Sequence, residues 1–147
     1  MSPPSPETYR ILIVDDKEEL LVSLEFALRT LAGFQVETAT NGAEGLRKAI
    51  ELHPNCMIID VVMPELNGYQ LVHALRGDPA TAGIPLVILS ALIQETDQAL
   101  GMYAGADQYL TKPTKPQDLI EAIRRAIALS EEERQQRLRA LAEDGEA

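Results

Sequence analysis

Short apolar runs alternate with amphipathic segments along this chain. Arg10–Val14 (RILIV), Phe34–Thr38, Cys56–Ile59, Pro85–Leu89 (PLVIL) and Gln108–Leu110 are rich in β-branched residues and predict five strands. Between the first two, Lys17–Leu31 places Leu20, Leu21, Leu24, Ala27, Leu28 and Leu31 at i, i+3, i+4 spacing, the stripe of an amphipathic helix. Ala43–Leu52, Tyr69–Arg76, Glu95–Ala104 and Gln117–Leu129 predict four more helices. Strict strand–helix alternation predicts an α/β domain, a doubly wound parallel sheet with helices on both faces. Strands that are apolar throughout fit a sheet covered on both sides. The breakers Gly33, Asn41-Gly42, Pro54, Asn67-Gly68, Gly77 with Pro79, and Gly105 fall between these segments.

The two ends differ from the middle. Residues 1–8 are rich in Pro and Ser, with no basic start and no apolar run, and predict a flexible tail rather than a signal peptide. Residues 9–129 form the predicted domain. Residues 130–147 (SEEERQQRLRALAEDGEA) are highly charged and predict a helical tail. Ser130 and Glu133 have the spacing of a capping box, so a fresh helix would start there or the preceding one would continue.

Composition narrows the function classes. The 147 residues are 46% hydrophobic and 24% charged, as in a globular domain with a sizeable core. No apolar run is long enough for a membrane span, and a cytoplasmic location is expected. A formal net charge of −10 argues against direct nucleic-acid binding, which leans on Lys and Arg. The single cysteine, Cys56, excludes an intramolecular disulfide and reads as a small buried side chain. His53 and His73 lack a second histidine or cysteine at ligand spacing, which argues against a transition-metal site.

The chemistry gathers at strand ends. Ligands of open parallel sheets bind beyond the carboxyl ends of the strands. There the first strand ends in Asp15-Asp16, the third in Asp60 and the fourth in Ser90, while the fifth is followed by Lys112-Pro113. Asp60 poses the sharpest question, because a charge closing a core strand is costly without a partner or a task. Three converging carboxylates call for a cation, and an all-oxygen set favours a hard one such as Mg²⁺, which leaves room for phosphate oxygens. Ser90 can donate to a phosphate oxygen, Lys112 can neutralise it, and Asp60 can act as a carboxylate nucleophile toward phosphorus. Simpler readings stand beside these: Asp16 with Glu19 as a capping box of the first helix, Ser90 as a cap of the fourth, Lys112 as a surface lysine.

These residues resemble the receiver domain of bacterial two-component response regulators. The likeness runs from Tyr9 to about Leu129 and rests on ILIVDD, DVVMPELNG, ILSA and GADQYLTKP, in that order. Asp60 precedes Ser90 by 30 residues and Ser90 precedes Lys112 by 22, separations typical of that family. The resemblance implies a flavodoxin-like sheet in the order 2-1-3-4-5. It implies that Asp60 is the phospho-acceptor, and that Asp15, Asp16, Asp60 and the backbone carbonyl of Val62 hold Mg²⁺. Ser90 would be the switching hydroxyl, Tyr109 the aromatic that turns with it, and Lys112 the phosphate-binding amine behind a cis Lys112-Pro113 bond. Thr114 departs from the family, where an aromatic is common. A sensor histidine kinase or a phosphotransfer protein would supply the phosphoryl group. Output would pass through the face of the fourth helix, fifth strand and fifth helix, to a downstream protein or to a second copy. In that homodimer Arg124 and Arg125 would meet Glu95 or Asp97. The protein would thus be a switch rather than an enzyme in the ordinary sense.

Rival readings make different demands. A haloacid-dehalogenase-type phosphatase needs a second acid two residues past the nucleophile, where this chain has Val62. A flavodoxin-like cofactor carrier needs a Ser/Thr/Gly-rich cradle after the first strand, where this chain has Asp-Asp-Lys-Glu-Glu. No Walker-type or Gly-x-Gly-x-x-Gly loop occurs. A docking domain that never takes up phosphate remains the other alternative, and Mg²⁺-dependent labelling separates it from a working receiver. The sequence holds no room for a separate output domain, so the chain is expected to act by docking or to be a fragment. Val62 and Leu92 are apolar and unable to orient a water, which predicts slow loss of the phosphoryl group.

Overall fold

The structure, a computed structural model, describes residues 8–61, 63, 67–91 and 105–144; beyond residue 129 the described side chains are those of Glu133 and Gln136. The chain runs β1 (Arg10–Val14), α1 (Glu18–Ala32), β2 (Gln35–Ala39), α2 (Gly42–Leu52), β3 (Cys56–Ile59), α3 (Gly68–Gly77) and β4 (Leu86–Ser90). After the stretch that includes the helix expected over Glu95–Ala104, which lies outside the described residues, come β5 (Gln108–Thr111) and α4 (Pro116–Asp144). The five strands form one parallel sheet in the order β2-β1-β3-β4-β5. Two strands, β2 and β4, sit one residue further along at both ends than their predicted spans, and β5 runs one residue longer, the usual scale of boundary disagreement.

Strand pleating sorts the apolar residues onto two faces. Ile11 and Ile13, Cys56 and Ile58, and Val87 and Leu89 enter the core under α1 and α4. Their alternates Leu12 and Val14, Met57 and Ile59, and Leu86 and Ile88 enter the core under α2 and α3. All of these are buried, which is why the strands read as continuous apolar runs rather than as alternation. Cys56 is part of the first core. Burial pushes its thiol pKa far up, with the Asp107 carboxylate adding to the rise, and that leaves it a packing residue.

The helix ends explain the breakers. Gly33 closes α1 in the left-handed region at φ 68°, with its N–H returned to Arg29 O and Leu28 O. Asn41 and Asn67 are N-caps, whose side chains accept from the N–H groups of Glu44 and Gln70. At α3 the box is complete, since the Gln70 side chain accepts from Asn67 N–H at 2.9 Å. The Asp16–Glu19 capping box does not form. Lys17 occupies the cap position of α1 without a side-chain bond. The aspartate that bonds there is Asp15, whose Oδ1 accepts from Lys17 N–H at 2.9 Å. At the other end, Ser130 starts no fresh helix: α4 runs unbroken from Pro116 to Asp144.

Candidate functional site

Register brings the first two carboxylates together. Val14 pairs with Ile59, so the next residue on each strand, Asp15 and Asp60, stand side by side where the sheet ends. Both are tied into the ladder: Asp60 N–H donates to Val14 O, and Asp15 N–H to Ala39 O, each at 3.0 Å. Both are 2% exposed. Asp16 follows at the exposed rim, and one carboxylate oxygen from each of the three lies within 4.8 Å of the others.

Lys112 reaches this cluster from two strands away. Its N–H donates to Ser90 O at 2.7 Å, which extends the β4–β5 pairing by one step. The peptide bond to Pro113 is cis, as expected. The Lys112 ammonium then lies 2.9 Å from Asp15 Oδ2 and 3.6 Å from Asp60 Oδ2. The tighter of the two pairs is thus with Asp15, a partner not anticipated from the sequence. The side chains in these pairs are largely buried, so the attraction is little screened by salt.

Ser90 ends β4 with no exposed surface. It shares the pleat face of Ile88, and Tyr109, which pairs with Ile88 across the sheet, packs partly buried against the core on that same face. Val62 and Leu92 lie outside the described residues. Arg124 and Arg125 have partners within the chain: Arg124 sits 5.8 Å from the centre of the Phe34 ring, and Arg125 donates to Glu121 at 2.6 Å.

Among the described residues one ammonium, beside Asp15 and Asp60, meets a cluster of three carboxylates, two of them buried, so the cluster has an excess of formal negative charge. All the candidate side-chain donors are carboxylate oxygens, two of them on buried residues. This donor set fits a small hard cation and leaves coordination positions for water or phosphate oxygens. The residues present therefore fit the expected ion.

Two contributors carry no chemical signature in the sequence, although Gly68 is legible there as part of a breaker. Gly68, the first residue of α3, donates its N–H to Val61 O at 3.1 Å, beside the acid-bearing turn. Arg76, near the end of α3, makes five hydrogen bonds to described residues at the opposite edge of the sheet. They go to Gly105 O (2.9 and 2.8 Å), Ala82 O (2.9 Å), Ile84 O (2.6 Å) and Asp107 Oδ2 (3.0 Å). Asp107 Oδ2 also accepts from Leu86 N–H at 2.8 Å, so α3, β4 and the start of β5 are tied at one point. The complete capping box at Asn67 was readable as S/T/N-x-x-Q spacing, whereas the acceptors of Arg76 are mostly carbonyls, which every residue carries.

A parallel sheet in this order, with acids at the carboxyl ends of its first and third strands and a lysine after its fifth, defines a receiver architecture. The chain belongs to the response regulator family: residues 11–124 match the model of the response regulator receiver domain. Such domains are phosphorylation-dependent signalling switches of two-component systems. The chain is 43% identical over 115 residues to the transcriptional regulatory protein PrrA of Mycobacterium tuberculosis, covering 78% of this chain and 48% of PrrA. It is 40% identical over 119 residues to protein PilH of Pseudomonas aeruginosa, covering 81% of this chain and 98% of PilH. The chain thus spans about half the length of PrrA but nearly all of PilH. Among solved structures, a putative response regulator from Chloroflexus aurantiacus superposes with a TM-score of 0.78 at 35% identity, over 82% of this chain and 98% of that one. The chemotaxis protein CheY4 of Vibrio cholerae does so with 0.76 at 30% identity, over 81% and 98%. Among the described residues no helix is long and apolar enough to cross a membrane.

Proposed function

We propose that this chain is a cytoplasmic phosphoryl switch in which Asp60 accepts a phosphoryl group from a phosphohistidine on a sensor kinase or a phosphotransfer protein. The observation that carries this reading is the meeting of Lys112 with Asp15 and Asp60 at the carboxyl edge of the sheet. In the transfer, an Asp60 carboxylate oxygen forms a bond to phosphorus as the phosphorus–nitrogen bond to the donor imidazole breaks. The electron pair stays on that nitrogen, which takes a proton from solvent. Asp15, Asp16 and Asp60, with the Val62 carbonyl, would hold Mg²⁺, which supplies charge neutralisation for the phosphoryl oxygens when bound.

The remaining residues have separate tasks. Lys112 exchanges its contact with Asp15 for one with the phosphoryl group. The Ser90 hydroxyl donates to a phosphoryl oxygen, and Tyr109, on the same pleat face, turns into the space that Ser90 leaves. This is a local charge event biasing a two-state element. The altered surface, which includes β5 and the first turns of α4, receives a downstream protein or a second copy of the chain.

The test is intact mass after incubation with a small phosphodonor. With Mg²⁺ the chain is expected to gain one phosphoryl group, labile in alkali as an acyl phosphate is. Chelation of Mg²⁺ or Asp60→Asn should abolish it. Undiminished labelling of Asp60→Asn would overturn the assignment, and no labelling of the parent would favour a docking domain of the same fold.

A further inference from the structure

Gly68 stands at the start of α3, against the backbone of the acid-bearing turn. A Cβ placed there would press into the carbonyl oxygen of Asp60, and would lie 2.7 Å from Val61 Cα and 2.9 Å from the Asp60 carbonyl carbon. All three are main-chain atoms, so no change of rotamer relieves the overlap. Gly68 is not among the glycines with positive φ, so space rather than conformational freedom is what glycine supplies here. Two other helical glycines, Gly45 and Gly77, differ. A Cβ at Gly45 meets the side chain of Val14, and at Gly77, on the same helix, it meets nothing within 4 Å.

The helix is poorly placed to yield. Its first turn is closed by the reciprocal Asn67–Gln70 bonds, and Leu71, Val72 and Leu75 are fully buried. A side chain at position 68 would therefore displace the Asp60–Val61 peptide, and with it the carboxylate that faces Asp15 and Lys112. Mg²⁺ demands near-ideal ligand geometry, and functional sites tolerate displacements of only about half an ångström.

We propose that Gly68 is a positioning residue of the acidic site: the bare Cα lets α3 rest directly on the Asp60–Val61 peptide and sets where the Asp60 carboxylate stands relative to Asp15 and Asp16. This inference rests on the reading of Asp15, Asp16 and Asp60 as the cation ligands.

Mg²⁺ titration calorimetry on the full chain tests it, with Gly68→Ala, Gly77→Ala and Leu75→Ala beside the parent. Gly68→Ala is expected to bind Mg²⁺ on the order of tenfold more weakly. Its Asp60 and Val61 amide resonances should be shifted before any metal is added. Gly77→Ala should bind like the parent. Leu75→Ala, a buried truncation near the far end of the same helix, should melt at a lower temperature yet bind like the parent while folded. A Gly68→Ala affinity within about threefold of the parent, or an equal loss in Leu75→Ala, would overturn the proposal. Should Gly68→Ala not fold, Asn67→Ala decides. It loosens the helix start without adding volume, so weakened binding upholds the proposal and unchanged binding rejects it. A parent that binds no Mg²⁺ refutes the site reading itself, whereas a binding parent with an unaffected variant refutes only the role of Gly68.

Discussion

Replacing Arg76 by alanine is expected to destabilise the fold by about 3 kcal/mol near neutral pH, a large share of the roughly 5–15 kcal/mol that holds a domain folded. The arginine is 21% exposed and its partner Asp107 13%, so the pair is mostly withdrawn from water. Its loss leaves the largely buried Asp107 carboxyl with only the Leu86 N–H described as a donor, and frees the carbonyls of Gly105 and Ile84. The Ala82 carbonyl is in an exposed bond and regains water at little cost. The buried carboxylate therefore accounts for most of the effect, and pH should report on it. Burial raises the Asp107 pKa, more than the Leu86 N–H and the Arg76 guanidinium lower it, while the Glu133 carboxylate adds a smaller rise. A carboxyl whose pKa is raised by folding weakens the folded state at high pH, and that penalty is relieved as pH falls toward the unfolded value of about 3.9. Without Arg76 the pKa rises further and the penalty above it grows. Urea unfolding followed by circular dichroism should thus give a deficit for Arg76→Ala that shrinks as pH is lowered from neutral toward the unfolded carboxyl range. Adding Asp107→Asn should recover at least about 1 kcal/mol of the loss, because the stranded charge is gone. A deficit below about 1 kcal/mol, or one that grows on acidification, would refute the argument.

Three further outcomes are expected. Lys112→Ala should bind Mg²⁺ on the order of tenfold more tightly, because the ammonium now 2.9 Å from Asp15 competes with a cation for that carboxylate; unchanged or weaker binding in calorimetry would count against the competition. The phosphorylated chain should lose its phosphoryl group slowly, and Val62→Asn with Leu92→Gln should hasten the loss by providing groups that orient water; equal decay of parent and variant by intact mass would reject this. Phosphorylation should shift the chain toward a homodimer through the face beside β5; monomers in both states by sedimentation across micromolar concentrations would leave docking of a monomer as the output.

The order of the strands and of the described helices was legible because burial on both faces of a parallel sheet leaves β-branched runs that differ in length and period from the helical stripes between them. The acids were legible for a related reason. A carboxylate directly after Ile59 or Val14 breaks an apolar run at the sheet edge, and such a break has few structural excuses. Other features depended on groups that meet only after folding. The aspartate tied to the start of α1 is Asp15 rather than Asp16, since the helix starts at Glu18 with Lys17 at the cap position, which leaves Asp16 one residue short of it. That Lys112 pairs more closely with Asp15 than with Asp60 follows from how far its side chain reaches across β4, which no spacing along the chain encodes. The continuity of α4 past Ser130 was left open by a sequence whose capping signal competes with an uninterrupted helical stretch. Arg76, and Gly68 beyond its part in a breaker, were silent for opposite reasons. The first binds mostly carbonyls that every residue possesses, and the second matters for the side chain it lacks, pressed against a peptide that only the packing of α3 on the end of β3 brings near.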